Sequence, residues 1–157
     1  DRIEARKGNP PRERVVQDIE VPIERTREFV EWFLEEIPIE PIWLCPLRLR
    51  DGSSEGATDP QRPWPLYPLE PGRAYVNVGF WSSVPKVPGE IEGAANRLIE
   101  KKVAELDGHK SLYSDSYYSE DEFEKLYYGG GEYPALKKQY DPRSRLLDLF
   151  SKAVQRK

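Results

Sequence analysis

The apolar residues change their spacing along this chain in one particular order, and that order restricts the fold more than any other feature. From Arg14 to Ile23 they alternate, with Val15, Ile19, Val21 and Ile23 on one face and Val16, Asp18 and Glu20 on the other. From 24 to 37 the spacing becomes helical through Thr26, Val30, Phe33, Leu34 and Ile37, and Pro38 ends the run. Residues 40–49 form a nearly continuous apolar segment of strand length, in which Pro46 marks an edge or a bulge. Residues 73–81 alternate again, with Ala74, Val76, Val78 and Phe80 facing one way and Tyr75, Asn77, Gly79 and Trp81 the other. A second helical stripe of Ile91, Ala94, Ala95, Leu98, Val103 and Leu106 predicts a helix from about Pro88 to Leu106, stopped by Gly108. A short strand over 110–114 completes the set.

The resulting order is β-α-β-β-α-β, an α+β chain of the split, ferredoxin-like kind, with an antiparallel sheet carrying two helices on one face. Three further helices are predicted in a C-terminal tail, over 120–128, 132–140 and 142 to about 154, the last opened by Asp141 as N-cap and Pro142 at the first position. If the helices cover the Val15, Ile19, Val76 and Val78 face, the face bearing Asp18, Tyr75, Asn77 and Trp81 must meet water, the tail or a partner. The long connection over 51–72 holds five prolines, and its Trp64, Leu66, Tyr67 and Leu69 are costly to leave bare, so it is expected to close over something apolar or to seal an interface.

Composition narrows the function classes. At 157 residues with 38% hydrophobic content the chain suits a single domain, residues 1–157, made of a core over 12–115 and a helical tail over 116–157. Lys and Arg number 24 against 28 Asp and Glu, a net charge of −4 that argues against a nucleic-acid partner. The third strand does carry Arg73, Tyr75, Val78 and Phe80 where RNA-recognition domains place a basic residue and aromatics, but Asn77 stands where the central stacking ring belongs. Cys45 is the one cysteine, which excludes an internal disulfide and points to a reduced, cytoplasmic setting; in an apolar strand it reads as buried rather than nucleophilic. No segment reaches the ~18–20 apolar residues of a membrane span. The charged N-terminus and the lack of any methionine suggest a fragment or a processed chain. His109 has no Cys or His companion at ligand spacing, so no metal is expected and a surface imidazole is. Gly129-Gly130-Gly131 follows no strand and reads as a loop between helices rather than a phosphate cradle.

Several stretches together resemble the C-terminal part of the 24-dehydrocholesterol (delta-24-sterol) reductase family, flavoproteins of the vanillyl-alcohol-oxidase type. They are Val15-Val16-Gln17-Asp18 with Val21-Pro22, Pro41-Ile42-Trp43-Leu44-Cys45-Pro46, and Leu112-Tyr113-Ser114-Asp115-Ser116-Tyr117 followed by Glu122-Phe123, extended by Tyr133 and Lys137-Lys138. The resemblance implies that this chain is the substrate, or cap, domain of an FAD-dependent oxidoreductase whose FAD-binding domain is absent, with the open sheet face covering the flavin. It also implies NADPH as hydride donor and an isolated carbon–carbon double bond of a lipid as substrate, a sterol side chain or, as in similar actinobacterial reductases, a methylene-branched fatty acyl chain. Such a reaction needs a proton donor held in a dry site. Tyr113 or Asp115 is the expected donor, and Asp18, Tyr75, Asn77, Trp81, Trp64 and Tyr67 are expected to line the lipid pocket. Sugar-oxidising relatives place a lysine just before an Asp-Pro pair; here Gln139 holds the nearest position, so Lys138, with Tyr117, is the candidate on the cofactor side. The aromatic loop adds the expectation of peripheral membrane contact. The competing reading from the residues alone is a stand-alone ferredoxin-like ligand-binding or interaction module.

Overall fold

A computed structural model describes residues 8, 10–49 and 66–157. Trp64 and most of the 51–72 connection lie outside the described residues. The elements run β1 (Arg12–Pro22), a 3-10 turn (Ile23–Arg25), α1 (Thr26–Glu36), β2 (Ile42–Arg48), β3 (Ala74–Pro85), α2 (Ala94–Glu105), β4 (His109–Lys110), α3 (Glu120–Tyr127), a 3-10 turn (Gly129–Gly131), α4 (Glu132–Tyr140) and α5 (Leu149–Ala153). The strands form one antiparallel sheet in the order β2-β3-β1-β4, the ferredoxin-like arrangement that the change of periods predicts.

Register fixes which side chains share a face. Val15, Ile19 and Val21 of β1 lie on the side of Val76, Val78 and Phe80 of β3, and with Phe29, Phe33, Ile99, Val103 and Leu106 from α1 and α2 they make the main core. Phe33 meets Phe80 at 4.5 Å between ring centroids, so α1 is seated on the centre of β3. Ile23 is a correction: it falls in the 3-10 turn and is half exposed, because Pro22 ends the strand before the alternation reaches it.

Helix α2 begins at Ala94, six residues later than the stripe implies, since Pro88 and Gly89 lie in a turn and Gly93 takes a left-handed φ of 73° at the N-cap. Gly93 has no side chain to cap with; Glu13 of β1 does so instead, accepting the Asn96 N–H at 2.9 Å and the Asn96 side-chain amide at 2.6 Å. Asn96 in turn accepts from Gln17 Nε2 at 2.6 Å. These bonds turn polar Asn96 inward and leave Ile91 and Leu98 exposed, so the buried stripe is Asn96, Ile99, Glu100 and Val103. In α1, similarly, Phe29 and Phe33 are buried and Leu34 is exposed.

The tail builds a second, aromatic cluster of Tyr118, Phe123, Tyr127, Tyr128 and Phe150. It joins the sheet through one hydroxyl: Tyr127 Oη accepts the Lys110 N–H at 3.2 Å and donates to the Lys110 carbonyl at 2.8 Å. The free edge of β4 is thereby satisfied and closed. Helix α3 starts on a capping box between Ser119 and Glu122. The predicted helix from 142 is replaced by turns, and α5 starts at Leu149 with Asp148 as its N-cap. Asp141 caps nothing helical; it accepts the Arg145 and Leu146 N–H groups and pairs with Lys137, and these donors hold its carboxyl down near 2.

Candidate functional site on the open sheet face

Helices α1 and α2 lie on one side of the sheet, so the rows of side chains on the other side form the candidate site. One cross-strand row runs Trp43, Gly79, Asp18, extended by Ser111, whose N–H donates to the Asp18 carbonyl at 2.8 Å. The next runs Cys45, Asn77, Glu20, His109, and a third holds Leu47, Tyr75 and Pro22. Trp81 stands opposite Val16.

The first row is aromatic around a bare floor. Trp43 and Trp81 are both half exposed, with ring centroids 6.0 Å apart. Gly79 lies beneath them, and a Cβ there would stand 2.4 Å from Asp18 Oδ1 and 3.0 Å from Cη2 of Trp81. Glycine is required for this close approach. Gly79→Ala is therefore expected to push Asp18 and the Trp81 indole aside at a cost of about 1–3 kcal/mol, seen as a lower denaturation midpoint and altered tryptophan fluorescence; unchanged values for both would show that the floor is looser than this. The half-exposed Tyr113 hydroxyl faces Asp18 and Trp81, and partial burial with the Asp18 charge beside it raises the phenol to about 12.

The second row is polar yet covered. Glu20 is 2% and His109 3% exposed, so the expectation of a surface imidazole is corrected: β4 pairs with β1 at this residue and turns the ring onto the sheet. Tyr67 meets the imidazole edge-on at 5.9 Å and Tyr75 at 6.5 Å. Glu20 Oε1 accepts from Asn77 Nδ2 at 2.8 Å and Ser111 Oγ at 3.1 Å, and His109 Nε2 lies 3.3 Å from Glu20 Oε2. Burial drives the carboxyl up to about 7 against the two donated hydrogen bonds, and burial lowers the imidazole to about 4. Cys45 is on this row too, half-buried on the open face rather than in the core.

Of the residues proposed from sequence to line a pocket, Asp18, Asn77, Trp81 and Tyr67 come together here with Tyr113. Tyr75 is on the same face but almost fully buried, its hydroxyl accepting the Glu70 N–H at 3.1 Å and so fixing the segment over it. Glu20, Ser111 and His109 were not among the proposed site residues. The alternation of β1 places Glu20 beside Asp18, whereas the single histidine carries no such signal, because β4 starts at His109, one residue before the strand predicted over 110–114.

Comparison with known proteins supplies the remaining evidence. No family model and no solved structure matches the chain. Curated proteins do: it is 29% identical to a Delta(24)-sterol reductase of Rattus norvegicus over 139 residues and 27% identical to that of Homo sapiens over 139 residues, 88% of this chain in both cases. The Arabidopsis thaliana Delta(24)-sterol reductase is 27% identical over 150 residues. The chain resembles the Delta(24)-sterol reductases. It spans about a quarter of the length of these relatives, 25–26% of each.

The other residues suggested by the resemblance to Delta(24)-sterol reductases stand apart from the open-face cluster. Asp115 is paired with Arg14 at 3.2 Å and Arg156 at 3.6 Å. Tyr117 covers Gly93 at the start of α2, between the guanidinium groups of Arg97 and Arg156, 4.7 and 5.1 Å from its ring centre. Lys138 is exposed on α4 beside Tyr133 and Asp141. Among the described residues no helix is long and apolar enough to cross a membrane, and no group of three or more His, Cys, Asp or Glu could hold a metal ion.

Proposed function

We propose that this chain forms the substrate-side wall of an FAD-linked oxidoreductase that reduces an isolated carbon–carbon double bond of a lipid, with NADPH as the hydride source. The observation that carries the reading is the half-exposed aromatic row of the open sheet face, where among the described residues Trp43, Trp81 and Tyr113 stand around Asp18, in a chain similar to Delta(24)-sterol reductases. Each half-exposed indole leaves on the order of 100 Å² of apolar surface in water, so covering both favours an apolar occupant by roughly 4–5 kcal/mol.

The same face suits a flavin ring. Flat aromatic edges flank polar atoms that lack a partner among the described residues, Asp18 Oδ1 among them. Among the described residues, Gly129–Gly131 joins two tail helices and follows no strand, so the pyrophosphate is assigned to the FAD-binding domain. When bound, the flavin supplies hydride chemistry. Trp43 and Trp81 orient the lipid and exclude water, while Asp18 fixes the Tyr113 hydroxyl toward it. Tyr113 then supplies the proton. Asp115, pinned by two arginines, holds the 111–117 segment, and Lys138 and Tyr117 face the partner domain from the tail. Peripheral membrane contact of the assembled enzyme follows from an insoluble substrate.

Co-purification of this chain with the polypeptide that carries the rest of the enzyme is expected to give a yellow complex that NADPH bleaches and a lipid alkene recolours. A colourless, monodisperse chain that recruits no such partner would identify a stand-alone binding module instead.

A further inference from the structure

Beneath the open face, Glu20 and His109 form a buried pair that no contact so far accounts for. Glu20 Oε1 is satisfied twice, by Asn77 and Ser111. Among the described residues Oε2 has no well-aligned hydrogen-bond partner, and neither has His109 Nε2, 3.3 Å away. Two adjacent buried atoms left in this state are costly unless one holds a proton for the other. The groups that face Glu20 come from every neighbouring element. Asp18 lies two residues before it on β1, and Asn77 separates it from Cys45 across the sheet. Tyr67 and Tyr75 pack against the His109 ring, and Tyr113 and the α3 residue Tyr127 both feel the Glu20 charge. Lys110, beside His109, projects to the opposite side of the sheet and pairs with Glu100. Among the described residues none of the groups facing Glu20 is a permanent cation.

We propose that Glu20 is the proton-holding residue of this face: with His109 closed over its free oxygen, its change of charge sets how readily the Tyr113 hydroxyl yields a proton to the substrate. The inference rests on the reductase reading and adds a positioning residue to it. Tyr113 faces Asp18 directly and Glu20 more remotely, and both carboxylates hold its proton when charged. Protonating Glu20 removes one of the two. Burial sets that event near neutrality and keeps His109 neutral there, so the imidazole cannot offset it. The double bond would gain a hydride at one carbon, chemistry that a bound flavin would supply, and the Tyr113 proton at the other. The Tyr113 oxygen is left as phenolate until it takes a proton from water, while Glu20 keeps its own.

The chain contains a single histidine, so the imidazole NMR signals of the full chain belong to His109 without further assignment. Titrated from about pH 3 to about pH 9, they are expected to show a main step near 4 and a smaller inflexion near 7 that vanishes in Glu20→Gln. In the assembled enzyme kcat is expected to fall about tenfold as pH rises past 7, and Glu20→Gln is expected to stay at the low-pH level across that range. An enzyme that reduces no lipid at any pH refutes the reductase reading and leaves the pair to be judged by the titration. Reduction with the same pH profile in Glu20→Gln, or an imidazole with no inflexion near 7, overturns the proposal. The wild-type titration decides the second point even if the variant does not fold.

Discussion

Glu20→Gln and His109→Gln are expected to tilt the pH dependence of stability in opposite directions relative to the parent chain. The Glu20 carboxyl is raised from 4.5 to about 7 in the folded chain, so the folded state keeps a proton that the unfolded chain releases. Its contribution to stability is complete below 4.5 and is lost as pH rises through 7. The His109 imidazole is lowered from 6.5 to about 4, so the folded state refuses a proton that the unfolded chain takes up. That contribution is complete above 6.5 and is lost as pH falls through 4. Each displacement corresponds to at most about 3 kcal/mol, and over the shared interval the two oppose one another in the parent. Removing Glu20 leaves the histidine effect alone, and the variant gains stability against the parent as pH rises from about 4 to about 7; removing His109 gives the reverse. Urea denaturation followed by circular dichroism at several pH values measures both slopes. Two variants that track the parent would show that neither group is as buried as the sheet places it.

These two residues also show where reading the sequence reaches its limit. The order of periods determines the topology because alternation over 14–23 and 73–81 cannot be accommodated in a helix, and the long β1–β3 register follows from it. The open face was visible for the same reason, and with it Asp18, Asn77 and Trp81. Residues whose burial depends on a partner distant in sequence are not legible in this way. Asn96 and Glu100 occupy the inner stripe of α2 because Glu13, Gln17 and Lys110 meet them there, and no local pattern reports that. Strand β4 is two residues long, too short to show a period, so the phase that sends His109 to one face and Lys110 to the other emerges only from pairing with Ile19 and Glu20. Asp141 reads as an N-cap because Pro142 follows it, but its side chain is held by Lys137 from the preceding helix, and the turn it closes leaves α5 to start at Leu149, with Asp148 as its N-cap.

Lys110→Met is expected to cost about 3–5 kcal/mol, the usual penalty for removing one partner of a buried ion pair. The Lys110 ammonium is fully buried on the helix side of the sheet, 2.9 Å from Glu100 Oε1 and 2.6 Å from the Asp115 carbonyl. Burial lowers Lys110 and raises Glu100 even though each is opposed by its partner, so the pair persists as ions only while both are present. With methionine in place of the lysine, Glu100 retains the Tyr117 N–H, 3.1 Å from both its oxygens, as its contact in the loop. The double change Lys110→Met with Glu100→Leu replaces the pair by apolar volume and is expected to recover most of the lost stability. It cannot restore the ties to Asp115 and Tyr117, which fix the segment carrying Tyr113 beside Asp18. Stability and the proposed reductase activity of the assembled enzyme should therefore separate in the double variant, the first returning and the second remaining low. Full recovery of both would show that the pair serves the core alone, and a Lys110→Met chain as stable as the parent would show that the ammonium is not held in a buried ion pair.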